Sequence, residues 1–415
     1  MNDVRPFLGR NQPGRRLHLV AASLLATSFY TAGSAAAGPP ICRRAVNVPL
    51  ASISSATYAN NKVVVVDALG RGWTGVGGGS RQAGVYLFNS DGTFDRELGD
   101  VRSNPVGDFL PTRAISLGSQ LLIKLIGPGA VRLDENFTTQ VDLDIYEGRT
   151  GSYNGIGSIY QWASSGREVL FLGTVRPPAS SVALGLNQSA KAEFGFARVT
   201  ASSAGDPADL RFGKPTMVLE ARDSDYMVLG QPYVTVASGY FYFAAPMPGA
   251  KAPLYRLPVK GGTTNFKEVG VLNDGKPLPE LQRKNWGPDD AKALFQEVSG
   301  LEMPAALVGF GDRLLVLDRK GKVPSGQVRW YLTQYGVGAG GALAPIGKPW
   351  KLPTGADFLS LVATPDTLLV FEKGPANDMG KMTVLSVIRI EKSALLGARD
   401  LGVTSENLPA CEAVR

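Results

Sequence analysis

The sequence predicts an all-β fold: a six-bladed β-propeller whose N-terminal strand completes the last blade. Three observations predict it. A short two-strand pattern recurs along the chain. Glycine and proline are abundant, at 50 and 28 of 415 residues, while charged residues make up only 19%. Long amphipathic helical periodicity is almost absent.

The recurring pattern is a short apolar strand, a turn, and a second, more hydrophobic strand. "SISSATYANNKVVVVDA" (52–68) is the first copy, and "RAISLGSQLLIKLI" (113–126) the second. "SIYQWASSGREVLFLG" (158–173) and "PYVTVASGYFYFAA" (232–245) follow, then "AALVGFGDRLLVLD" (305–318) and "FLSLVATPDTLLVFE" (358–372). Between the paired strands stand Asn-Asn, Gly-Ser, Ser-Gly, Ser-Gly, Gly-Asp and Pro-Asp, the pairs that hairpin turns require. A third strand and often a fourth come after each pair, as in "GVYLFNSDGTFDRELG" and "AVRLDENFTTQVDLD". The third unit is the loosest match. The sixth continues through "TVLSVIRIEKSALLGARDLG".

A four-stranded unit repeated at intervals of about 50–75 residues is the mark of a propeller. The second strands read as unbroken apolar runs rather than alternating ones, which fits strands covered on both faces by neighbouring blades. "RAVNVPL", after Cys42, is strand-like and has no partner in the first unit. It is expected to complete the sixth blade.

"VYLFNSDGTFDRELG" resembles the repeat of six-bladed propellers of the NHL and SMP-30/TolB-like group, in which an aromatic-aliphatic strand, an Asp-Gly turn and a terminal glycine recur. The resemblance implies architecture. The group includes binding scaffolds, lactonases and lyases, so it implies no single activity. Its lactonases hold a metal through Glu, Asn and Asp side chains, and those positions have no match here residue by residue.

Arg15 and Arg16 precede an apolar run of about 14 residues and then "SAAAGPP", the pattern of a secretory signal with a cut after Ala37. The expected organisation is a signal peptide at 1–37 and one propeller domain at 38–415, in the periplasm or secreted. The run is too short for a stable membrane anchor, and no later segment is apolar enough to span a bilayer. The full chain carries a net charge of +7. Residues 1–37 hold four arginines against Asp3, so removing them leaves about +4, with no basic face for nucleic acid.

The only histidine, His18, lies inside the signal. The mature chain therefore has no histidine base, triad or metal ligand, which weighs against an enzyme. Cys42 and Cys411 stand at opposite ends of the mature chain. In an oxidising compartment such a pair is expected to form a disulfide.

One segment breaks the repeat, 273–300. Pro288, Asp289 and Asp290 before "AKALFQEV", with Gly300 after it, predict a short helix within an insertion. "KVVVVDALGRGWTG" (62–75) carries the G-x-G-x-x-G spacing of a dinucleotide site. Here "GGGS" follows where a helix would have to begin, so a long loop between strands is expected instead.

Three of the second strands end in acids: Asp67, Asp318 and Glu372, in blades one, five and six. These are neighbours in a closed ring. An acidic arc there would hold calcium or a cationic ligand; the alternative is that strand ends are polar because they meet water. "NSDGTFD" (89–95) has the look of a calcium loop without the later glutamate, and a plain hairpin turn is favoured. Trp73 and Trp286, in the glycine-rich loop and the insertion, are candidate contacts for a protein or saccharide partner. Trp162 and Trp330 fall within strands and are expected in the core. No cofactor beyond calcium is expected. The leading function is a binding or assembly scaffold of a bacterial envelope; the rival is a calcium-dependent, lactonase-like hydrolase.

Overall fold

The computed structural model describes residues 39–46, 48, 53, 55–67, 84–98, 111–117, 120–125, 129–144, 156–175, 193–203, 210–213, 215–220, 234–244, 254–260, 295–296, 301–302, 304–321, 329–353, 357–373, 385–397 and 407–411. All lie in the unit Gly38–Arg415. The other unit, Met1–Ala37, is outside the described residues, and so is the expected signal.

β1 (Ile41–Val46) opens the described chain. Sheet I holds β2 (Ser55–Ala59), β3 (Lys62–Asp67), β4 (Gly84–Asn89) and β5 (Phe94–Leu98). Sheet II holds β6 (Pro111–Leu117), β7 (Gln120–Leu125), β8 (Gly129–Leu133) and β9 (Thr139–Asp144). Sheet III holds β10 (Ile156–Ser165), β11 (Glu168–Val175), β12 (Glu193–Ser203), β13 (Leu210–Phe212) and β14 (Thr216–Glu220). Sheet IV holds β15 (Val234–Ala237), β16 (Tyr240–Ala244), β17 (Leu254–Pro258) and β18 (Phe295–Gln296). Sheet V holds β19 (Pro304–Phe310), β20 (Arg313–Lys320), β21 (Arg329–Val337) and β22 (Leu343–Lys351). Sheet VI holds β23 (Asp357–Ala363), β24 (Thr367–Lys373) and β25 (Leu385–Glu391), followed by helix α1 (Lys392–Gly397).

Sheets I, II, IV and V run in strand order. Sheet VI has the order β1-β25-β24-β23, so its outer strand comes from the far end of the chain. β1 pairs antiparallel with β25, from Ile41 opposite Ile390 to Val46 opposite Leu385. Nearly all of the described chain is β, in antiparallel sheets, consistent with a β-propeller.

The apolar second strands are buried along their length. Val63 to Val66, Leu314 to Leu317 and Leu368 to Phe371 are all 0% exposed. The reason is visible in what each residue touches. Val63 and Val65 pack with Val362, Leu369 and Phe371 of sheet VI, whereas Val64 and Val66 pack with Ala114, Leu121 and Ile123 of sheet II. On sheet V, Leu315 and Leu317 face sheet VI, while Leu314 and Val316 face sheet IV. Successive side chains point to opposite faces of a strand, and both faces are covered, so the run must be apolar throughout. The cores lie between sheets rather than within any one of them. The first strands pack in the order β2, β6, β10, β15, β19, β23, and β23 also packs on β2.

Tight turns join the first and second strands. Asn60 and Asn61 (φ 49° and 60°) and Ser238 and Gly239 (φ 46° and 79°) have the paired positive φ of two-residue hairpins. The segment 89–95 is a hairpin turn. Asn89 N–H donates to the Thr93 carbonyl at 2.8 Å, and Asp91 Oδ1 accepts from Thr93 N–H at 2.9 Å. The same turn recurs at 134–138. There Asp134 N–H donates to the Thr138 carbonyl at 3.0 Å, and Phe137 (φ 63°) stands where Gly92 stands in the first copy. The Phe137 ring is buried in the core between sheets I and II.

Three expectations need correction. Phe295 and Gln296, inside the expected helix, form β18 and pair with Tyr255 and Leu254. The open edge of β17 supplies backbone partners that outweigh helical propensity. The rest of that segment, 273–294 and 297–300, is outside the described residues. Lys392–Gly397, read as strand text, is helical because β1 already occupies the place beside β25. Arg313 caps the helix, donating to the Leu395 and Leu396 carbonyls at 2.6 Å each. Sheet III has five strands rather than four, because β12 pairs with β14 along one half and with β13 along the other. No helix among the described residues is long and apolar enough to cross a membrane.

Candidate functional site

The six first strands surround a cavity of 320 Å³. Each contributes to the wall: Ser55 from β2, Arg113 from β6, Gln161 from β10, Thr235 from β15, Leu307 from β19 and Leu361 from β23 among them. Hydroxyls stitch neighbouring strands together. Ser55 Oγ accepts from Ala114 N–H at 2.7 Å, Thr235 Oγ1 accepts from Gly309 N–H at 3.0 Å, and Ser164 Oγ donates to the Ser116 carbonyl at 2.6 Å. These bonds satisfy inner-edge backbone groups that sheet pairing leaves open.

Gly309 permits the closest of these approaches. A Cβ built there would lie 1.8 Å from the Val236 carbonyl oxygen. Gly309→Ala is expected to destabilise the fold by about 3 kcal/mol, near the upper end of overpacking costs, because a backbone atom cannot yield as a side chain would. Urea unfolding followed by tryptophan fluorescence measures it.

Sheets IV and V are also joined away from the cavity. Tyr242, fully buried, donates its hydroxyl to the Gly341 carbonyl at 2.8 Å. Burial, opposed by the nearby Arg256 charge and assisted by Tyr240, pushes the Tyr242 phenol from 10.0 up to about 12. The Tyr335 phenol is also raised, by burial and then by the Asp318 charge. The native state keeps these protons above pH 10, where the unfolded chain releases them. The contribution of Tyr242 to stability is therefore complete below pH 10 and is lost as pH rises through about 12. Tyr242→Phe is expected to cost about 1–2 kcal/mol at neutral pH, by leaving a buried carbonyl without its donor. It should also flatten the loss of stability between pH 10 and 12, a comparison that denaturant midpoints taken across that range provide.

Asp67, Asp318 and Glu372 all lie at the end where the first strands begin. Glu372 is opposite Phe358 and Asp318 opposite Pro304, and Asp67 follows the residue opposite Ser55. They do not meet water as strand ends would. Asp67 and Asp318 are 0% exposed and Glu372 is 2% exposed. They stand on β3, β20 and β24, one strand removed from the cavity wall, and none of them lines it. Glu372 pairs with the Arg43 guanidinium and accepts the Ser386 hydroxyl. Arg43 Nε also donates to Ser386 Oγ at 3.0 Å. Asp318 accepts the Glu302 N–H, at 3.1 and 3.2 Å to its two oxygens, and has Lys320 Nζ at 3.9 Å. Among the described residues no group of three or more His, Cys, Asp or Glu stands close enough to share a metal ion.

Cys42 and Cys411 form a disulfide, as expected. The C-terminal segment lies along β1: Arg43 N–H donates to the Pro409 carbonyl at 2.8 Å, and Cys411 N–H to the Arg43 carbonyl at 3.0 Å. Trp330 is buried between sheets V and VI, and Trp162 is half-buried against Phe212. Trp73 and Trp286 are outside the described residues. The segments that contain them leave from opposite ends of their sheets: 68–83 follows β3 at the acidic end, and 259–294 follows β17 at the hairpin end.

Sequence reasoning missed the cavity wall. Its signal was available as polar residues within the first strands, among them Ser55, Arg113, Gln161 and Thr235.

No protein-family model matches the chain, and no curated protein sequence matches it. It is similar to several solved structures. Kuenenia stuttgartiensis hydrazine synthase matches at 10% identity over 88% of this chain and 88% of that chain, with a TM-score of 0.41. BamB from Moraxella catarrhalis matches at 10% identity over 81% and 85%, with a TM-score of 0.33. Trypanosoma rangeli sialidase matches at 10% identity over 85% of this chain and 59% of that one, with a TM-score of 0.42. Likenesses at this level carry no functional argument, so function is read from the chain's own residues.

Proposed function

We propose that this chain is an exported binding or assembly scaffold of a bacterial envelope, built as a closed six-bladed β-propeller of the NHL and SMP-30/TolB-like architecture. One observation carries the reading: the two ends of the sheets are built differently. At one end, short turns join first to second strands, of two residues in sheets I, III, IV and V and of three in sheet VI. At the other, the second strands of sheets I, III and VI lead into the connections 68–83, 176–192 and 374–384. A frame that buries its second strands on both faces and carries three long connections at one end, with 259–294 leaving the other, suits a protein that presents contact surfaces. Closure is supported by the packing of β23 on β2 and by the pairing of β1 with β25. Export, with a cut after Ala37, is supported by the disulfide, a bond that persists in oxidising compartments.

The partner is a protein or saccharide that meets Trp73, which belongs to the connection 68–83. Trp286, on a segment leaving the other end, would serve a separate contact. The test replaces 71–81 by a Gly/Ser linker and compares it with Trp286→Ala. Both variants and the unaltered chain are offered envelope extract and a glycan array. Loss of a captured protein or glycan in the linker variant, with an unchanged melting temperature, supports the reading. A calcium-dependent rise in melting temperature that disappears in Asp318→Ala and Glu372→Ala would replace it with the hydrolase-type reading, in which Asp67, Asp318 and Glu372 hold the ion.

A further inference from the structure

The spacing Asn-x-Ser/Thr, the acceptor pattern for N-linked glycan, occurs twice in the chain, at 136–138 and 187–189. The second copy is outside the described residues. The first, Asn136-Phe137-Thr138, occupies the turn between β8 and β9. This turn repeats the one at 89–95 of sheet I, with Asn136 in the place of Asp91 and Thr138 in the place of Thr93. The two copies differ in what holds them. In sheet I, Asp91 Oδ1 accepts the Thr93 N–H at 2.9 Å and the Thr93 hydroxyl at 2.6 Å, and Asn89 Nδ2 donates to that hydroxyl at 2.7 Å. In sheet II the role passes to Asp134, whose Oδ1 accepts the Asn136 N–H at 2.9 Å and the Thr138 N–H at 2.8 Å. Among the described residues, the Asn136 side-chain amide and the Thr138 hydroxyl are thereby left without a hydrogen bond, and both residues are exposed. Phe137, 8% exposed, fixes the turn from the opposite side, in the core between sheets I and II. A substituent on Asn136 Nδ2 breaks no hydrogen bond of the turn.

We propose that Asn136 is the attachment site of an N-linked glycan. The donor is a glycan carried on a polyprenyl pyrophosphate. Asn136 Nδ2 forms a bond to C1 of the first sugar, the bond from C1 to the pyrophosphate oxygen breaks, the pyrophosphate leaves with its electron pair, and one Nδ2 proton passes to a base of the transferase. The buried Phe137 ring holds the finished turn against sheets I and II, so the transfer belongs to the stage of export before that ring docks. The position also gives the sugar a use. β9 is the outer strand of sheet II and begins at Thr139, one residue past the acceptor pattern. A bulky, solvated group at the start of an outer strand hinders the edge-to-edge pairing to which such strands are prone. The proposal rests on the export proposed above, and on no contact of Trp73 or Trp286.

Peptide mass spectrometry on the chain purified from the envelope of the cells that make it tests the site. Trypsin releases the peptide 133–149, in which Asn136 is the only asparagine. This peptide should carry added sugar mass, and fragmentation should assign that mass to Asn136. Asn136→Gln and Thr138→Ala should each abolish it, whereas Thr138→Ser should retain it, since serine also satisfies the pattern. A peptide recovered only unmodified overturns the proposal. So does sugar that persists in Asn136→Gln, which would place it on Thr138 or Thr139. The same digest reports on export separately. A first peptide beginning at Gly38 beside an unmodified 133–149 overturns the glycan and leaves export standing; a chain that retains 1–37 and carries no sugar overturns both. If a variant does not fold, the assignment on the unaltered chain decides alone.

Discussion

Replacing Cys42 and Cys411 together by serine is expected to lower the unfolding free energy by about 3–5 kcal/mol. The two residues are 369 positions apart, so the bond closes nearly the whole of the unit Gly38–Arg415 into one loop. In the chain-entropy account the gain rises with loop length, and this pair stands near the top of that scale. The geometry explains why the bond matters here. β1 belongs to a sheet whose other strands come from the far end of the chain, so its docking joins the two termini. Once the bond is gone, β1 is held by its ladder with β25, by the backbone bonds to 409–411 and by the Arg43 side chain. Guanidinium unfolding of the double variant under oxidising conditions measures the loss. The unaltered chain in reductant should shift by the same amount, and an absence of shift in both would show that the ladder alone secures β1.

Arg43→Ala should cost about 2–3 kcal/mol, and the cost should depend on Glu372. The Glu372 carboxylate is only 2% exposed, whereas the Arg43 side chain is 42% exposed. Removing the arginine therefore leaves a buried charge with the Ser386 hydroxyl as its remaining hydrogen-bond donor. Breaking a fully buried pair costs more; the exposed arginine end admits water and reduces the penalty. Adding Glu372→Gln to Arg43→Ala should recover much of the loss, giving a coupling energy of about 1–2 kcal/mol in a double-mutant cycle. A zero coupling energy would mean that the pair contributes nothing measurable. Arg43 is adjacent to Cys42, so the two effects should not add. In the serine variant, Arg43→Ala should free β1 enough for trypsin to cut at Arg44, a site that the ladder to β25 otherwise shields.

The acids show how far the sequence led. Asp67, Asp318 and Glu372 were legible as the ends of second strands; the structure ends β3 at Asp67 and carries β20 two residues past Asp318 and β24 one residue past Glu372. Their surroundings were not legible. Glu372 takes its cation from Arg43, 329 residues earlier, and sequence spacing gives no hint of such a pairing. The cavity follows the same logic. Ser55, Arg113 and Gln161 are polar residues in separate strands, and they line one cavity only because the first strands pack side by side. Segments with weak local preference were misread for a related reason. Phe295 and Gln296 lie in a stretch whose sequence favours a helix, but an open strand edge meets them in space, and the edge decided their conformation.

The sequence by itself determined the all-β class, the repeat of paired strands, the turns at Asn60, Ser238 and Gly92, and the bond between Cys42 and Cys411. Each depends on residues adjacent in the chain or on chemistry that few residue types can perform: alternation of side chains, positive φ, thiol oxidation. Only the tertiary structure decided which sheet covers each face of Val63 to Val66, which cation meets Glu372, and which residues of the six first strands line one cavity. Those outcomes depend on which distant segments pack together, and a contact between sheets leaves no periodic mark within either of them.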